Sequence, residues 1–325
     1  MSQSHPLVSI GLPVYNGSKY IKEAIESILA QTFEDFELVI VDNCSTDDTY
    51  QICQSYRSDS RVRVLRNEKN LGAARNANRC VDEARGTYFK WAHYDDLIAP
   101  TFLERCVEIL ESDPEVVLAF ASGEYHLTQD GQKVRHKNWK DYRLEATDPS
   151  VRFEKFLRQC YPQIGSFEYH FGVLRTEALR RTPLMQGYAS ADITLFGELA
   201  LRGKWKRVEE PLFFYRHHDA QSHHMEDKML WWDPRNESKF QLVCWRWTRD
   251  YLTAIRRVEM SLAERTRCLW VLNRRFVRHV WAALLLEPLS YVKYLLQKGT
   301  YWAWSWSRST AVKETKSKQR ASSVR

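Results

Sequence analysis

The chain has 325 residues, 44% of them apolar and 13% aromatic, enough to bury one large core or two smaller ones and too apolar for a disordered chain. Its formal charge of +7 is uneven: residues 226–325 hold 20 Lys+Arg against 9 Asp+Glu, a net +11, which leaves −4 on residues 1–225. A basic final hundred residues points to a phosphate-bearing partner, a membrane surface or a nucleic acid, while seven cysteines with no CxxC pair argue against a disulfide framework or a zinc site and fit a reducing cytosol.

The N-terminus shows no charged region followed by an apolar run, so no signal peptide is expected. No stretch reaches the roughly 20 apolar residues of a membrane span. From there the chain alternates short apolar runs with amphipathic segments. Leu7 to Leu12 reads as a buried strand, broken at Pro13-Val14-Tyr15-Asn16-Gly17 before a helix from about Lys19 to Gln31, with Ile21, Ala24, Ile25 and Ile28 on one face. Glu37 to Val41 is a second strand, ended by Asp42-Asn43-Cys44-Ser45-Thr46-Asp47-Asp48, where Thr46 or Asp47 caps the following helix. Val62 to Leu65 is a third strand, and Asn70-Leu71-Gly72-Ala73-Ala74-Arg75-Asn76 opens a third helix. A fourth strand, Thr87 to Ala92, leads into Asp95-Asp96, and Thr101 to Leu110 is helical after Pro100.

This alternation predicts a mostly parallel sheet built from βαβ units, in which ligands bind beyond the carboxyl ends of the strands. Tyr15-Asn16, Asp42-Asn43 and Asp95-Asp96 all fall at such ends, with Arg75 near a helix start, so one common mouth is expected. There is no GxGxxG after the first strand and no GxxxxGK[ST], which disfavours ordinary dinucleotide binding and a P-loop.

Asp95 and Asp96 carry the clearest chemistry. Adjacent carboxylates repel unless something positive joins them. Hard cations such as Mg²⁺ and Mn²⁺ take oxygen ligands, often only one or two carboxylates, and leave other positions to water and substrate phosphates. A phosphorylated substrate is the consequence, against the plainer reading of a strand end that caps the next helix.

Val116 to Ala121 continues the sheet, Asp130-Gly131 marks a hairpin turn, and Phe171 to Leu174 reads as another strand. Ala189 to Phe196 starts a helix with Asp192 in its first turn. Trp205 to Val208 and Leu212 to Tyr215 are strand-like, and Tyr215-Arg216-His217-His218 runs on to Ser222.

In these residues the chain resembles family 2 glycosyltransferases of the GT-A fold, over residues 6 to 222. The matching pieces are Val8-Ser9-Ile10 with Pro13-Val14-Tyr15-Asn16, Val41 to Thr49, Asn70 to Asn76, the Asp95-Asp96 pair, Asp192 and Tyr215-Arg216-His217-His218 with Ser222. Each is weak alone; their order and spacing are specific. The resemblance implies inverting sugar transfer from a nucleotide-diphosphate donor, UDP or dTDP favoured, to an acceptor hydroxyl in cell-surface or extracellular polysaccharide synthesis. It places Pro13, Tyr15 and Asn16 in the nucleoside pocket, Asp42 as acceptor from the base N–H, and Arg75 against base or phosphate. Asp95 and Asp96 hold a divalent metal, Mn or Mg, on the diphosphate, with His218 also at the metal or the diphosphate. Asp192 is the base. Two departures stand out: His93 where many relatives carry an acidic residue, and Cys44 where many carry Gly.

After Ser222 the composition shifts to Trp- and Arg-rich helices, which divides the chain into a transferase domain, 1–222, and a basic helical extension, 223–325, with a disordered end. Between Arg267 and Ala283, Leu269, Leu272, Phe276, Val280 and Ala283 share one face and Arg267, Arg274 and Arg278 the opposite one; Pro288 is expected to break or kink this helix. With the aromatic run Tyr301 to Trp306 beside Lys293, Lys298 and Arg308, residues 262–308 read as a peripheral membrane contact. That suits a saccharide or lipid-linked saccharide acceptor and a cytoplasmic enzyme on the inner face of the cell membrane, with no nucleic acid partner expected. The alternative is a non-catalytic module that binds a nucleotide-sugar or a membrane surface.

Overall fold

The computed structural model describes residues 5–122, 125–135, 143–160, 168–218, 228–236 and 242–293. The expectations for Ser222 and for Tyr301 to Trp306, Lys298, Arg308 and the C-terminal end lie outside these residues.

Seven strands form the central sheet: β1 (Val8–Val14), β2 (Phe36–Asp42), β3 (Val62–Arg66), β4 (Tyr88–Trp91), β6 (Val116–Ala121), β9 (Val173–Arg175) and β10 (Lys204–Val208), in the spatial order β10-β6-β9-β4-β1-β2-β3. β1, β2, β3 and β4 pair in parallel, as do β6 and β10; β9 is the antiparallel insertion between β4 and β6. The continuous apolar runs follow from this position, because strands covered by helices on both faces bury every side chain, and β2 is buried from end to end. A second sheet joins β5 (Leu97–Ile98), β11 (Phe213–Arg216), β7 (Tyr125–Leu127) and β8 (Lys133–Arg135) in the order β5-β11-β7-β8. β7 and β8 are the two arms of the predicted hairpin, with Gly131 at φ +80° in its turn.

Two cores sandwich the main sheet. On one face, α1 (Ile21–Leu29) and α4 (Phe102–Ser112) bury Ile21, Ile25, Ile28, Phe102, Leu103, Cys106 and Leu110. On the other, α3 (Ala73–Glu83), α5 (Pro149–Cys160) and α7 (Ala191–Arg202) bury Cys80, Val81, Phe153, Phe156, Phe196 and Leu199. α2 (Thr49–Gln54) starts later than a cap at Thr46 or Asp47 would place it: Asp48 is the N-cap, and Asp47, one residue before it, accepts from the Thr49 N–H through Oδ1 at 3.1 Å. The strand read at Phe171 to Leu174 begins two residues later, since Glu168–Phe171 forms a 3₁₀ turn that feeds β9.

The C-terminal helices dock on the second core. α9 (Val243–Arg257) lies on α7, and α10 (Leu262–Leu272), opened by a Ser261/Glu264 capping box, lies on α5. The buried seam of α10 is Cys268, Val271 and Leu272, continuing to Phe276, and Leu269 faces solvent. Of the predicted face, Leu272 and Phe276 are buried and Val280 packs on the core, while Cys268 and Val271 are buried in place of Leu269; Arg267 and Arg275 pair with Asp148 and Glu154, and a π-helical turn over Asn273–Val277 changes the phase beyond it. Pro288 does not end the helix, and residues 278–293 remain helical. Proline removes the N–H that would bond the carbonyl four residues back; the Trp245 indole N–H supplies that bond instead, to Leu284 O at 2.9 Å. Glu287 in turn accepts from the Cys244 N–H at the start of α9, at 3.0 Å.

Candidate functional site

The carboxyl ends of β1, β2 and β4 open on one edge, where Val14 lies in register with Asp42. Asp42 is fully buried there. Its carboxylate accepts from the Ser45 N–H at 3.2 Å and pairs with Arg66 Nε at 3.1 Å. Asn16, at φ +50°, latches the β1 end to the same loop: its side-chain oxygen accepts from the Thr46 N–H at 2.9 Å, and its own N–H donates to Ser45 Oγ at 2.9 Å. Pro13 pairs with Val41 inside the sheet, and Tyr15 projects outward, 40% exposed. Cys44 sits at φ +64°, a left-handed conformation that glycine adopts without a Cβ clash.

Behind this loop lies a saturated asparagine network. Asn43 donates to Asn70 Oδ1 at 2.9 Å and accepts from Asn67 Nδ2 and the Leu71 N–H, both at 2.8 Å. Asn67 also donates to Asn76 Oδ1 at 2.8 Å, and Asn76 donates to Val41 O at 3.0 Å. Arg75, one turn away, donates to Leu71 O at 2.9 Å and lies 3.7 Å from Asp233. Asp233 belongs to the 228–236 segment, which crosses so close to Gly72 (φ +85°) that an added Cβ would stand 2.7 Å from Trp232 O. No sequence signal pointed to this cover.

At the end of β4 the carboxylates are less satisfied. Asp96 accepts from the Arg216 N–H at 3.0 Å through Oδ1, whereas Oδ2 is buried with no hydrogen-bond partner, 3.6 Å from His93 Nδ1. Burial, and then the neighbouring Asp95 charge, hold the Asp96 carboxyl well above the usual carboxylate range. Asp95 bonds His218 Nε2 at 2.8 Å, and its carbonyl accepts from Arg216 Nε at 3.0 Å. His218 therefore braces Asp95 from just beyond the end of β11, its ring packed 4.9 Å from that of Tyr20. One ligand atom from each of His93, Asp95 and Asp96 falls within 4.8 Å of the others. An orphaned buried oxygen beside two further donors fits a divalent cation, which would satisfy Asp96 Oδ2 and neutralise the pair. Beneath them Lys90 is fully buried, pushed down to about 8 by desolvation, and donates to the carbonyls of Trp91 and Phe171.

Asp192 occupies the first turn of α7, after Ser190 in the left-handed region. Burial raises its carboxyl to about 6, against the opposing pull of the Ile193 and Asp192 N–H groups. Oδ1 is buried without a hydrogen-bond partner, and Oδ2 lies 3.3 Å from His170 Nε2. His170 stacks on Phe196 (4.2 Å, 15°), and its neighbour Phe171 meets the His93 ring edge-on at 4.8 Å. The Glu168–Phe171 turn thus joins the Asp192 environment to that of Asp95 and Asp96. Sequence reasoning missed His170, a single histidine with no motif around it.

Comparison with known proteins agrees with this architecture. The family model described as glycosyl transferase family 2 matches residues 9–182. Glycosyltransferase GlyG of Streptococcus pneumoniae is 26% identical over 238 residues, covering 69% of this chain and 75% of GlyG. Of several other curated relatives the chain spans about half the length or less. Among solved structures, Staphylococcus aureus TarS 1-349 in complex with UDP-GlcNAc superposes with a TM-score of 0.58 at 19% identity, covering 84% of this chain and 73% of that one. The mannosyltransferase PcManGT from Pyrobaculum calidifontis, in complex with GDP-Man and Mn²⁺, gives 0.53 at 16% identity over 90% and 76%. At these identities the structural likeness speaks for the fold, which is GT-A.

Proposed function

Because this chain belongs to glycosyltransferase family 2, we propose that it moves a sugar from a nucleotide-diphosphate donor to an acceptor hydroxyl, with inversion, in the synthesis of a cell-surface or extracellular polysaccharide. The observation that carries the reading is the pair of carboxylates, the buried Asp96 and the part-buried Asp192, each with a buried oxygen lacking a hydrogen-bond partner. A ligand or a reaction that completes such an oxygen accounts for it.

Pro13, Tyr15, Asn16 and Asp42 line the nucleoside end. An imide N–H suits the Asp42 carboxylate, whose lone pairs exceed the bonds from Ser45 and Arg66, so UDP and dTDP are favoured. Arg75 serves the base or a phosphate. Asp95 and Asp96, with His93, would hold a Mn or Mg ion, and His218 either joins them or orients Asp95. Such an ion supplies Lewis-acid stabilisation of the departing diphosphate. Asp192 takes the acceptor proton as the acceptor oxygen bonds to the anomeric carbon from the face opposite the leaving group, and the bond to the diphosphate oxygen breaks with its electron pair. A carboxyl near 6 is ionised at neutral pH and more basic than a solvated one.

The unit spanning 1–222 performs this chemistry, and 223–325 brings it to a lipid-linked or free saccharide acceptor at the inner membrane face. Among the described residues no helix is long and apolar enough to cross a membrane. Trp281, Leu285, Leu289 and Val292 form an exposed seam on the last helix, each more than half exposed, which favours lying on a lipid surface. A purely binding module is the weaker reading: nothing in binding requires a part-buried, proton-accepting Asp192.

The test is incubation with UDP-, dTDP- and GDP-sugars in Mn²⁺ or Mg²⁺, following nucleoside diphosphate release and the anomeric configuration of the product by NMR. Metal-dependent release from one donor class with inverted configuration is expected. No release from any donor, with any metal and a range of saccharide acceptors, would overturn the reading.

A further inference from the structure

The 228–236 segment is bonded on both its flanks. On one side it crosses Gly72, whose carbonyl accepts from Asn43 Nδ2 at 3.4 Å, so it rests on the frame that supports Asp42. On the other, the Trp232 indole N–H donates to Gln186 O at 2.6 Å and Asn236 Nδ2 donates to Gly187 O at 2.9 Å, shortly before the chain enters α7 and Asp192. Asp233 sits between the two flanks: a Cβ added to Gly187 would stand 2.7 Å from its Oδ2. Its carboxylate accepts from the Arg235 N–H at 2.9 Å and from Arg235 Nη2 at 2.6 Å. Arg75 Nη2 lies 3.7 Å from Oδ1, a charge contact longer than a hydrogen bond. The Asp233 side chain is 2% exposed, whereas that of Arg75 is 32% exposed and is held at Nε by Leu71 O.

We propose that Asp233 is a positioning residue for Arg75: its buried negative charge keeps the Arg75 guanidinium oriented for the base or a phosphate of the donor, so that donor affinity depends on a segment beyond residue 222. The inference rests on the reading of Arg75 as a donor contact. With almost none of its side chain exposed, Asp233 cannot touch the donor and acts only through Arg75. A guanidinium is planar and its donors are fixed relative to one another. Holding Nε on Leu71 O while a carboxylate draws Nη2 therefore sets the plane of the whole group. An arginine oriented in advance loses less side-chain freedom when its ligand arrives, and the difference appears as affinity. The carboxylate is itself fixed, by the Arg235 bonds and by the close approach of Gly187, and the segment that carries it by the close approach of Gly72. The reacting groups of the proposed transfer all lie within 1–222, so the segment adds orientation and no chemical step.

The experiment titrates UDP, dTDP and GDP, in Mn²⁺, into full-length wild type, D233N, R75Q and the D233N/R75Q double variant. D233N keeps the size of the side chain and removes its charge. The nucleotide that wild type binds is expected to bind D233N about 10-fold more weakly and R75Q at least as weakly. The double variant is expected to bind no more weakly than R75Q, because without Arg75 there is nothing for Asp233 to orient. Wild-type affinity in D233N overturns the proposal. So does a further loss from D233N in the R75Q background, which would make Asp233 a structural residue that acts independently of Arg75. Should D233N fail to fold, N236A takes its place in the same cycle, since it loosens the segment and leaves the carboxylate intact; the same two outcomes decide. The levels fail separately. Wild type that binds none of the three nucleotides removes the donor reading and the inference together, whereas a weakened R75Q beside a D233N of wild-type affinity removes the inference alone.

Discussion

The two sides of the mouth differ in how completely their polar groups are satisfied. Around Asp42 the loop is well braced: Ser45 and Arg66 hold the carboxylate, which keeps lone pairs to spare, and Asn43, Asn67, Asn70 and Asn76 bond one another and the backbone. The buried Asp96 and the part-buried Asp192 each leave one buried oxygen without a hydrogen bond. A saturated network fixes loop shape and contributes stability; an unsatisfied buried carboxylate costs stability and signals something still to bind or react. The same residue type is thus braced by its loop at the end of β2 and left with an unbonded buried oxygen at the end of β4 and the start of α7.

Substitutions on the two sides should separate rate from stability. The largest effect belongs to Asp96→Asn, which is expected to reduce turnover about 1000-fold in a Mn²⁺ assay. Removing a charge that burial disfavours should leave its unfolding temperature unchanged or raised. Asp192→Asn is expected to lower kcat by roughly 10²- to 10⁴-fold at unchanged donor affinity, read from kinetics beside calorimetry.

The pH dependence sharpens the second case. The folded Asp192 carboxyl is raised to about 6, above its ordinary range near 3.9, so kcat should fall about tenfold per pH unit below pH ~6 as the base becomes protonated. In stability the sign is opposite to that of a salt-bridged aspartate. Ionising Asp192 costs nothing extra below about pH 4, where it is protonated in both states, and the cost is fully present above about pH 6. The stability advantage of Asp192→Asn over wild type should accordingly grow between those limits, which paired thermal melts at pH 4.5 and 7.5 would read.

On the saturated side, Asn76→Ala removes the bond that Asn67 donates to its side chain and the one it donates to Val41 O, and about 1–3 kcal/mol of stability should be lost while turnover per folded molecule stays near wild type. The smallest effect is that of Trp245→Phe, which frees Leu284 O beneath Pro288; because the indole is half exposed, about 0.5–1 kcal/mol is expected in denaturant unfolding.

Most of the sheet was legible in the sequence because parallel strands buried on both faces read as unbroken apolar runs, as Val8 to Leu12 and Glu37 to Val41 do. The Asp95-Asp96 pair was legible because adjacent carboxylates need an explanation at any position. What escaped depends on contacts between distant segments. His170 gains its meaning only when the 3₁₀ turn brings it to Asp192, and Asp233 only when 228–236 crosses Gly72. Leu269, on the apolar face by periodicity, is exposed because Cys268, Val271 and Leu272 are the residues of α10 that the core takes in. Pro288 stays inside a helix because a tryptophan 43 residues earlier in the chain takes over the bond it removes.

The most direct measurement is calorimetric titration of UDP and dTDP, in Mn²⁺ and again in EDTA, into wild type, Asp96→Asn and Asp192→Asn. The account predicts metal-dependent binding of a nucleotide to wild type, the same affinity in Asp192→Asn, and loss of binding in Asp96→Asn. Undiminished binding in Asp96→Asn, or an equal loss in both variants, would contradict the division of the two carboxylates into one that holds the donor's metal and one that accepts the proton.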